Sequence, residues 1–506
     1  MMRLALFLIL STATFVRVYG LGGPSFWVDE VYSAMVVESF SKMWASDVHP
    51  PLYYALLYLW ASFSTTDYWL RLLSAVLGVL TVAMTYVVGR IVFNTPAALW
   101  AAAFLAIMPI HVEYSQEARP YALLTFLFAT GVWAVFLVEG RRPLSPWLLY
   151  VVSSLLMCYS HGIGFVFWLG LTIGLAAHLY FKHSTKAPWI AFGLANALIL
   201  LLFSPWFSLL KSSYVGGKYV KSSSSLLTPF AIPLYSFAFG QIPPLSAVLA
   251  KFVRIDSPPT TINWILVLPV ICLLAIAAMT PARTRRCSIV LFLTLAAPIA
   301  ILFTVSITAQ PMLIPRTALP SVVPLVLLLG LGVAAFSPRR IVPIVCLVLV
   351  VAELGIGLFY YHRYRPYGKE AWRETSVLLQ QHVRAADCVV VFGWLANQSL
   401  RRYDPSSRLE RLCIVAGGRY GVLTGDGLTS PSTQVVLKPG QTIWIVERIT
   451  RTRPTKREMV RTWATCIEEL DFGDVQVTRL SIPLEATPTL TCPPTLKSQA
   501  GPRASS

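Results

Sequence analysis

The sequence has little charge, and acidic charge is the scarcest. Of its 506 residues 13% are charged, about half the usual share of a globular protein, and only 23 residues are Asp or Glu. Hydrophobic residues make up 56%, and the mean hydropathy is +0.65. These values exclude a disordered chain, a collagen-like repeat and an ordinary cytosolic enzyme, and they indicate a membrane protein with many crossings.

Several binding signatures are also missing. The sequence contains no G-x-G-x-x-G loop, so it offers no nucleotide-binding fingerprint. The net charge of +18 comes from scattered clusters rather than from a basic stripe, which argues against nucleic acid as a partner. No CxxC pair occurs, so a zinc ribbon is not expected. Four of the eight cysteines follow residue 361, and their spacing leaves three disulfide pairings open: Cys388, Cys413, Cys466 and Cys492.

Apolar runs long enough to cross about 30 Å of hydrocarbon recur up to residue 361. The first run lacks a small-residue cleavage site and is predicted to be a retained anchor. The run 52–63 is too short to cross, so we predict an interfacial helix in the first exterior loop. The fold class is therefore an all-α polytopic membrane protein with about eleven transmembrane helices, near 4–20, 70–92, 97–112, 120–138, 147–160, 161–181, 188–210, 262–280, 287–308, 317–336 and 341–361.

Several loops between the predicted crossings carry Lys or Arg, and these loops, called the basic connectors, predict how the chain is oriented in the membrane. With the interfacial helix excluded, these connectors fall on one side of the membrane together with Arg3, and the positive-inside rule makes that side cytoplasmic. We expect a multi-pass protein of the plasma (inner) membrane whose region after residue 361 is extracytoplasmic. The extracytoplasmic loops are then 29–51, 111–119, 211–259 and 310–316. The basic connectors contain Arg90, Arg141, Arg142, Lys182, Lys186, Arg283, Arg285, Arg286, Arg339 and Arg340.

After residue 361 the hydrophobic pattern changes to that of a small C-terminal α/β extracytoplasmic domain. A Pro/Thr/Ser-rich tail that follows it is predicted to be disordered. The predicted domains are a membrane domain over 1–361, the α/β domain over 362–484 and the tail over 485–506. Within the α/β domain we predict helices over 369–384 and 458–470 and strands over 388–392, 442–447 and 475–482.

An adjacent acid pair, Asp29 and Glu30, follows the first crossing directly. Acids near a bilayer are costly unless they are paired, solvated or used. Two structural interpretations are a helix N-terminus, where acids complement the dipole, and a solvated loop. The functional interpretation is catalysis, because a carboxylate beside a hydroxyl can remove its proton as a new bond forms.

A second group of polar residues lies in the loops of the same predicted face. Asp47 and His49 precede Pro50-Pro51, where they form either a mechanical turn or part of a site. Between two crossings, Arg119 can bind a phosphate bidentately, or it can form an internal ion pair with Glu117.

Two further residues complete the candidate set. His161 stands at the tip of a tight hairpin, and Arg316 lies in a later exterior loop. Together these residues predict a two-part site, with carboxylates on one side and cations able to receive a phosphate on the other. No cofactor is required by the sequence. A divalent metal on His49 and His161 is possible in chemical terms, although no ligand spacing demands one.

The order of these motifs resembles the GT-C superfamily of polytopic glycosyltransferases, which use polyprenyl-phosphate sugars. Within it the sequence is most similar to the protein O-mannosyltransferase, aminoarabinose transferase and RgtA/B/C/D-like group. The resemblance covers roughly residues 1–340. Its motifs are Asp29-Glu30, His49-Pro-Pro-Leu52, Arg71-Leu-Leu-Ser74, Glu117-Ala-Arg119-Pro-Tyr121 and Pro315-Arg316.

The resemblance implies roles for these positions. Asp29 corresponds to the catalytic base of the family, and Glu30 to its neighbour in the catalytic motif. Some members carry Lys where this chain has His49. The implied reaction is transfer of a hexosyl or pentosyl group, with inversion, from a polyprenyl-phosphate donor to a hydroxyl of a lipid, glycan or protein. The implied substrate-binding residues are Asp47, His49, Glu117, Arg119, Tyr121, His161 and Arg316.

The alternative function is a transporter or flippase of a lipid-linked or charged sugar. Transporters usually place ionisable residues near the middle of the bilayer, often in two corresponding halves of the chain. Here the acids lie at an exterior rim and no halves correspond. The expected partners are the lipid-linked donor, the hydroxyl acceptor and membrane lipids, without nucleic acid. A lipid-carrier ligase with the same topology also stays open, because the sequence identifies neither the sugar nor the acceptor.

Overall fold

The structure is a computed structural model that contains two compact units. The membrane unit consists of Met1–Leu21 and Val36–Arg363, and the C-terminal unit consists of Gly22–Met35 and Tyr364–Ser506. The structure describes residues 1–38, 50–138, 144–182, 186–215, 270–308, 312–335, 341–368, 370–384, 387–392, 394–404, 413–417, 422–424, 427–430, 433–435, 442–448, 465–472 and 475–481. The predicted boundary at residue 361 and the predicted tail stay predictions. The sequence did not predict that Gly22–Met35 belongs with the C-terminal unit.

The described part of the membrane unit is helical. A 3₁₀ turn, Leu319–Ser321, joins the helix Pro315–Ala318 to the helix Val322–Ala334. Residues 28–35 of α2 belong to the C-terminal unit. The helices are α1 (Met2–Val18), α2 (Val28–Val37), α3 (Leu52–Ala61), α4 (Asp67–Val92), α5 (Thr95–Ile107), α6 (Pro109–Ser115), α7 (Tyr121–Leu137), α8 (Ser145–Ser160), α9 (Gly164–Lys182), α10 (Ala187–Val215), α11 (Ala282–Thr308), α12 (Pro315–Ala318), α13 (Val322–Ala334) and α14 (Ile341–Gly368).

Among the described residues, six helices are long and apolar enough to cross a membrane. A seventh crossing results if α5 and α6, bent by 62° at their junction, count as one broken span. The helices α3, α7 and α8 are apolar but shorter. The predicted architecture of many apolar helices is confirmed in this coarse form, and the count of eleven crossings stays a prediction. The predicted interfacial run 52–63 is the short helix α3.

Small residues allow close packing of α5 against α13. Ala97, Ala98, Ala101 and Ala102 of α5 are all buried. A Cβ atom added at Gly330 of α13 would collide with the backbone of Ala97 and Ala101. Small residues at such interfaces let helix backbones approach, which replaces the hydrophobic driving force that lipid does not supply.

The C-terminal unit contains a mixed sheet. Its strands, in order, are β2 (Cys413–Gly417), β1 (Cys388–Phe392), β6 (Thr442–Arg448), β8 (Val475–Ser481) and β7 (Thr465–Phe472). β1 pairs in parallel with β2 and β6, and β8 pairs antiparallel with β6 and β7. Its buried core includes Trp372, Leu379, Val389 and Trp444, together with Val28. A second sheet has the order β3-β4-β5. The elements are α15 (Trp372–His382), β1 (Cys388–Phe392), α16 (Trp394–Arg402), β2 (Cys413–Gly417), β3 (Val422–Thr424), β4 (Gly427–Ser430), β5 (Thr433–Val435), β6 (Thr442–Arg448), β7 (Thr465–Phe472) and β8 (Val475–Ser481).

One predicted element of this region is wrong where the structure describes it. The segment 458–470 was predicted to be a helix, but β7 begins at Thr465 and runs antiparallel to β8. β7 is the last strand of the described sheet, so one of its edges is the border of that sheet. Hydrogen bonds to β8 satisfy the backbone on the other edge, so tertiary pairing overrides the local helical pattern. The predicted helix over 369–384 and the strands over 388–392, 442–447 and 475–482 correspond to α15, β1, β6 and β8.

Candidate functional site

Most of the predicted site residues lie in the described parts of the two units. Asp47 and His49 lie outside the described residues. Asp29 and Glu30 belong to the C-terminal unit. The membrane unit carries Glu117, Arg119, Tyr121, His161 and Arg316.

Arg119 lies in the tight turn between α6 and α7 and is only 3% exposed. Its backbone N–H donates to the carbonyl oxygen of Glu117 at 2.8 Å. Its carbonyl oxygen accepts from Ser74 Oγ at 3.4 Å, and its Nη1 donates to Tyr54 Oη at 3.3 Å. Both partners belong to predicted motif segments, the run that follows Pro-Pro and the Arg-Leu-Leu-Ser run. The fold therefore anchors this guanidinium at one place inside the membrane unit.

His161 forms the turn between α8 and α9 and is 5% exposed. The backbone N–H of Ile163 donates to its Nδ1 at 3.1 Å, so this nitrogen is an acceptor. Burial first, and then the positive charges of Arg119 and Arg316, lower the pKa of His161 to about 3. His161 is therefore a neutral imidazole at physiological pH. Arg316 is nearly two hundred residues further along the chain than Arg119, yet both arginines act electrostatically on His161.

Aromatic rings and acids complete this cluster. The Tyr121 ring lies 5.1 Å from the Tyr114 ring and 5.3 Å from the His161 ring, measured between centroids. Glu113 and Glu117 are buried, and their charges act on Tyr114 together with that of Arg316. We call the set of Glu117, Arg119, Tyr121, His161 and Arg316 the cationic cluster. It combines two permanent cations with a neutral hydrogen-bonding ring, a combination suited to a phosphate.

Arg17 supports this cluster, although it was not among the site residues predicted from the sequence. Arg17 of α1 is 0% exposed and donates to the carbonyl oxygens of Leu105 and Ala106 at 3.1 and 2.9 Å. Its Nη2 also donates to Nδ1 of His111 at 2.6 Å. These contacts fix α1 against the bend between α5 and α6, and α6 leads into the turn of Arg119. The available signal was a charged residue inside an apolar crossing, which is expensive unless it has partners.

Gln116 joins the same region to two other helices. Its Nε2 donates to the carbonyl oxygens of Arg17 and Tyr19 at 2.9 and 3.0 Å, where α1 ends. Its Oε1 accepts from Tyr361 Oη of α14 at 2.9 Å. An amide can serve donors and acceptors at once, so a single side chain satisfies the end of one helix and fixes another.

The acid pair occupies the first turn of α2, in the C-terminal unit. This result bears out the helix N-terminus interpretation and contradicts the solvated loop. Glu30 is 0% exposed, whereas Asp29 is partly exposed. The two adjacent carboxylates thus have different environments.

The segment that precedes Asp29 is held by residues more than three hundred positions later. Phe26 N–H donates to Tyr403 Oη at 2.7 Å, and Ser25 Oγ donates to Glu374 Oε2 at 2.9 Å. The Arg402 guanidinium lies 4.6 Å from the centroid of the Phe26 ring. Hydrogen bonds and a cation–π contact therefore fix this segment to α15 and to the end of α16.

Glu370 is the centre of this attachment. Its Oε2 accepts from Val28 N–H at 3.0 Å and from Trp372 Nε1 at 2.6 Å, and its Oε1 pairs with Arg448. Burial raises the pKa of Glu370, the charge of Asp29 adds to that rise, and Arg448 and the two donors oppose it. Asp29 is therefore within electrostatic range of a buried carboxylate that caps its own helix.

Within the part of the chain that the structure describes, no group of three or more His, Cys, Asp or Glu side chains could hold a metal ion. His161 accepts a backbone hydrogen bond on Nδ1, and the other suggested ligand, His49, lies outside the described residues. Metal use therefore stays an open prediction.

Comparisons with known proteins agree with this architecture. Residues 48–208 match the family model described as dolichyl-phosphate-mannose-protein mannosyltransferase, a range that includes four members of the cationic cluster. ArnT from Cupriavidus metallidurans bound to undecaprenyl phosphate has a TM-score of 0.58 at 12% identity, over 94% of this chain and 97% of that one. The chain therefore has the fold of ArnT. At the level of the fold, this confirms the resemblance that the motifs predicted.

Two further solved structures are less similar. ArnT from Cupriavidus metallidurans in the apo state has a TM-score of 0.48 at 13% identity, over 94% of this chain and 97% of that one. The Archaeoglobus fulgidus oligosaccharyltransferase complex with Zn and sulfate has a TM-score of 0.49 at 13% identity, over 94% of this chain and 74% of that one. No sequence among the curated proteins matches this chain significantly.

Proposed function

We propose that this protein is a GT-C-type glycosyltransferase that transfers a sugar from a polyprenyl-phosphate donor to a hydroxyl acceptor with inversion, and that Asp29 is the general base. The observation that carries the proposal is the cationic cluster, in which the buried Arg119 and the partly buried Arg316 both act on a neutral His161. In support, the chain shares its fold with a protein solved with undecaprenyl phosphate bound. The acceptor belongs to the lipid, glycan or protein class.

The cations act on the leaving group. As the anomeric carbon–oxygen bond breaks, charge develops on the departing polyprenyl phosphate, and fixed guanidinium groups stabilise it without reorganisation. Arg119 is positioned for this by Tyr54 and by the turn at Glu117. His161 adds a ring nitrogen without adding a third positive charge, because its burial beside two arginines keeps it neutral.

Asp29 acts on the acceptor. Its carboxylate removes the hydroxyl proton while the acceptor oxygen attacks the anomeric carbon from the face opposite the phosphate. The products are the new glycoside, polyprenyl phosphate and a proton held on Asp29. We assign this role to Asp29 rather than Glu30 because Asp29 is partly exposed, whereas Glu30 is completely buried. A base must reach the proton that it abstracts.

The location of the reaction follows from the charges of the connectors. The basic connectors identify the cytoplasmic side, and α7 and α9 begin at the cationic cluster and end near Lys182 on the basic side. These charges support a position of the cluster on the extracytoplasmic face of the plasma membrane. The lipid-linked donor would reach it there from the outer leaflet.

The test is turnover by the full-length protein, purified in detergent and supplied with a panel of polyprenyl-phosphate sugars. Release of polyprenyl phosphate and formation of the glycoside are both measured by mass spectrometry. We expect Asp29→Asn to lower turnover about a thousandfold, because a general base contributes roughly 10²- to 10⁴-fold. Asp67→Asn is the matched control, since Asp67 is also an acid in the first turn of a helix.

Two results would contradict the proposal. One is full turnover by purified Asp29→Asn protein, which would show that Asp29 is not the general base. The other is sugar or lipid movement across liposomes without any new glycosidic bond, which would identify a transporter.

A further inference from the structure

A cavity of about 1000 Å³ lies at the other end of the membrane unit from the cationic cluster. Helix α7 shows the separation, since Tyr121 of the cluster begins it and Phe136 near its end lines the cavity. The 17 residues of α7 correspond to about 25 Å at about 1.5 Å per residue. The cavity is therefore a separate feature on the side that the basic connectors predict to be cytoplasmic.

The described side chains that carry charge in this cavity are cationic. Lys182 at the end of α9 and Arg286 near the start of α11 line it, and the described lining residues include no Asp or Glu. Asn94, the N-cap of α5, also lines it, and its side chain accepts from the N–H of Ala97. The N-terminal ends of α5 and α11 thus add two positive helix dipoles to two cationic side chains.

The remaining walls are partly polar, with His178, Thr280 and Thr284, and partly apolar. Phe136, Phe181, Val290 and Leu331 line the cavity, and Val290 and Leu331 belong to the buried core. A free polar anion gains nothing from the apolar part of the lining, whereas a lipid presents hydrocarbon directly beside its phosphate. Basic pockets between membrane helices on the cytoplasmic side are suited to anionic lipid headgroups.

We propose that this cavity binds the phosphate headgroup of an anionic glycerophospholipid of the inner leaflet. Lys182 and Arg286 contact the phosphate, and the first acyl carbons lie along Phe136, Phe181 and Leu331. The volume is at the upper end of the range of about 300–1,000 Å³ that ligand sites occupy. The binding does not depend on the glycosyl-transfer reaction, so it stands or falls independently of the proposed function.

The experiment is native mass spectrometry of the full-length protein in detergent, titrated separately with phosphatidylglycerol, phosphatidylcholine, undecaprenyl phosphate and inorganic phosphate. The Lys182→Gln/Arg286→Gln variant is compared with Arg90→Gln/Arg285→Gln, which loses the same charge from exposed positions that do not line the cavity. We expect the first variant to bind phosphatidylglycerol at least about tenfold more weakly, since each cation contributes to lipid attraction. The control variant should bind as the wild type does.

A labelling experiment on the wild-type protein guards against misfolding of the variants. Cys287 lines the cavity and is partly buried, and Cys272 is a free cysteine of similar exposure that does not line it. Phosphatidylglycerol should slow maleimide labelling of Cys287 and leave Cys272 unchanged, as measured by peptide mass spectrometry.

Four results would overturn the proposal. They are equal loss of lipid in both double variants, equal binding of phosphatidylcholine and phosphatidylglycerol, complete displacement of phosphatidylglycerol by inorganic phosphate, and stronger binding of undecaprenyl phosphate than of phosphatidylglycerol. Unchanged labelling of Cys287 in the presence of phosphatidylglycerol would do the same.

Discussion

The predicted phosphate-binding residues of the membrane unit stand at the ends of packed helices, whereas the predicted base of the C-terminal unit stands on a segment held by distant side chains. Arg119 and His161 occupy tight turns between apolar helices, so burial itself confines them. Asp29 follows a segment whose backbone N–H groups donate to Glu370 and Tyr403. Helix packing thus determines the positions of Arg119 and His161, whereas long-range hydrogen bonds determine the position of Asp29.

After the loss expected for Asp29→Asn, the largest expected effect tests the helix-packed half. Arg119→Gln removes a permanent cation from the leaving group, and losing one such donor costs about 10²- to 10³-fold in turnover. Arg119→Lys should recover only part of this loss, because an ammonium cannot bind a phosphate bidentately. Turnover of purified protein measures both, with Arg90→Gln as the control on the basic side. Turnover by Arg119→Gln at the wild-type rate would show that Arg119 does not stabilise the leaving group.

The next prediction tests the hydrogen-bonded half. Glu370→Gln keeps an oxygen for Val28 N–H but loses the ion pair with Arg448. We predict a fall in kcat of about tenfold to hundredfold with an unchanged KM for the donor, because small displacements of a catalytic group have effects of that order. Glu374→Gln is the matched comparison, since Glu374 is exposed and accepts only from Ser25 among the hydrogen bonds described above. If KM rises while kcat is constant, Glu370 does not position Asp29.

A third prediction asks whether the close approach of α5 and α13 supports the membrane half. Gly330→Val places a side chain where the backbone of Ala97 and Ala101 already lies. We expect destabilisation of about 1–3 kcal/mol from overpacking, seen as a lower unfolding temperature in detergent. Gly193→Val is the control, since a Cβ there meets no atom within 4 Å. Equal unfolding temperatures for the two variants would show that the interface can relax.

The smallest expected effect concerns pH. His161 has a folded pKa of about 3, below an unfolded value of about 6.5. The unfolded chain therefore binds a proton that the folded chain does not, so this contribution to stability is present above pH 6.5 and is lost as pH falls toward 3. Between pH 7.5 and 6 the loss is about 1 kcal/mol. His161→Gln should make thermal unfolding less sensitive to pH over this interval, and an unchanged slope would contradict the buried neutral imidazole.

Much of the membrane unit was predictable from residue types. Apolar runs identify helices because hydrocarbon excludes unsatisfied backbone groups, and polar residues at the ends of those runs identified Arg119, His161 and Arg316. Arg17 was overlooked as part of a crossing, although its charge demanded the carbonyl and His111 partners that the structure shows. The segment 465–470 was assigned to a helix because local periodicity does not record pairing with another strand.

The sequence alone determined that this is a polytopic membrane protein, which side chains are polar enough to form a site, and which family the motif order resembles. These properties follow from local composition and from the cost of charge in a bilayer. Only the tertiary structure decided that the segment of Asp29 belongs with residues 370–403, that His161 is a buried neutral ring beside two arginines, and that Gln116 joins α1 to α14. Each of these depends on contacts between residues far apart in the chain, and no local pattern carries that information.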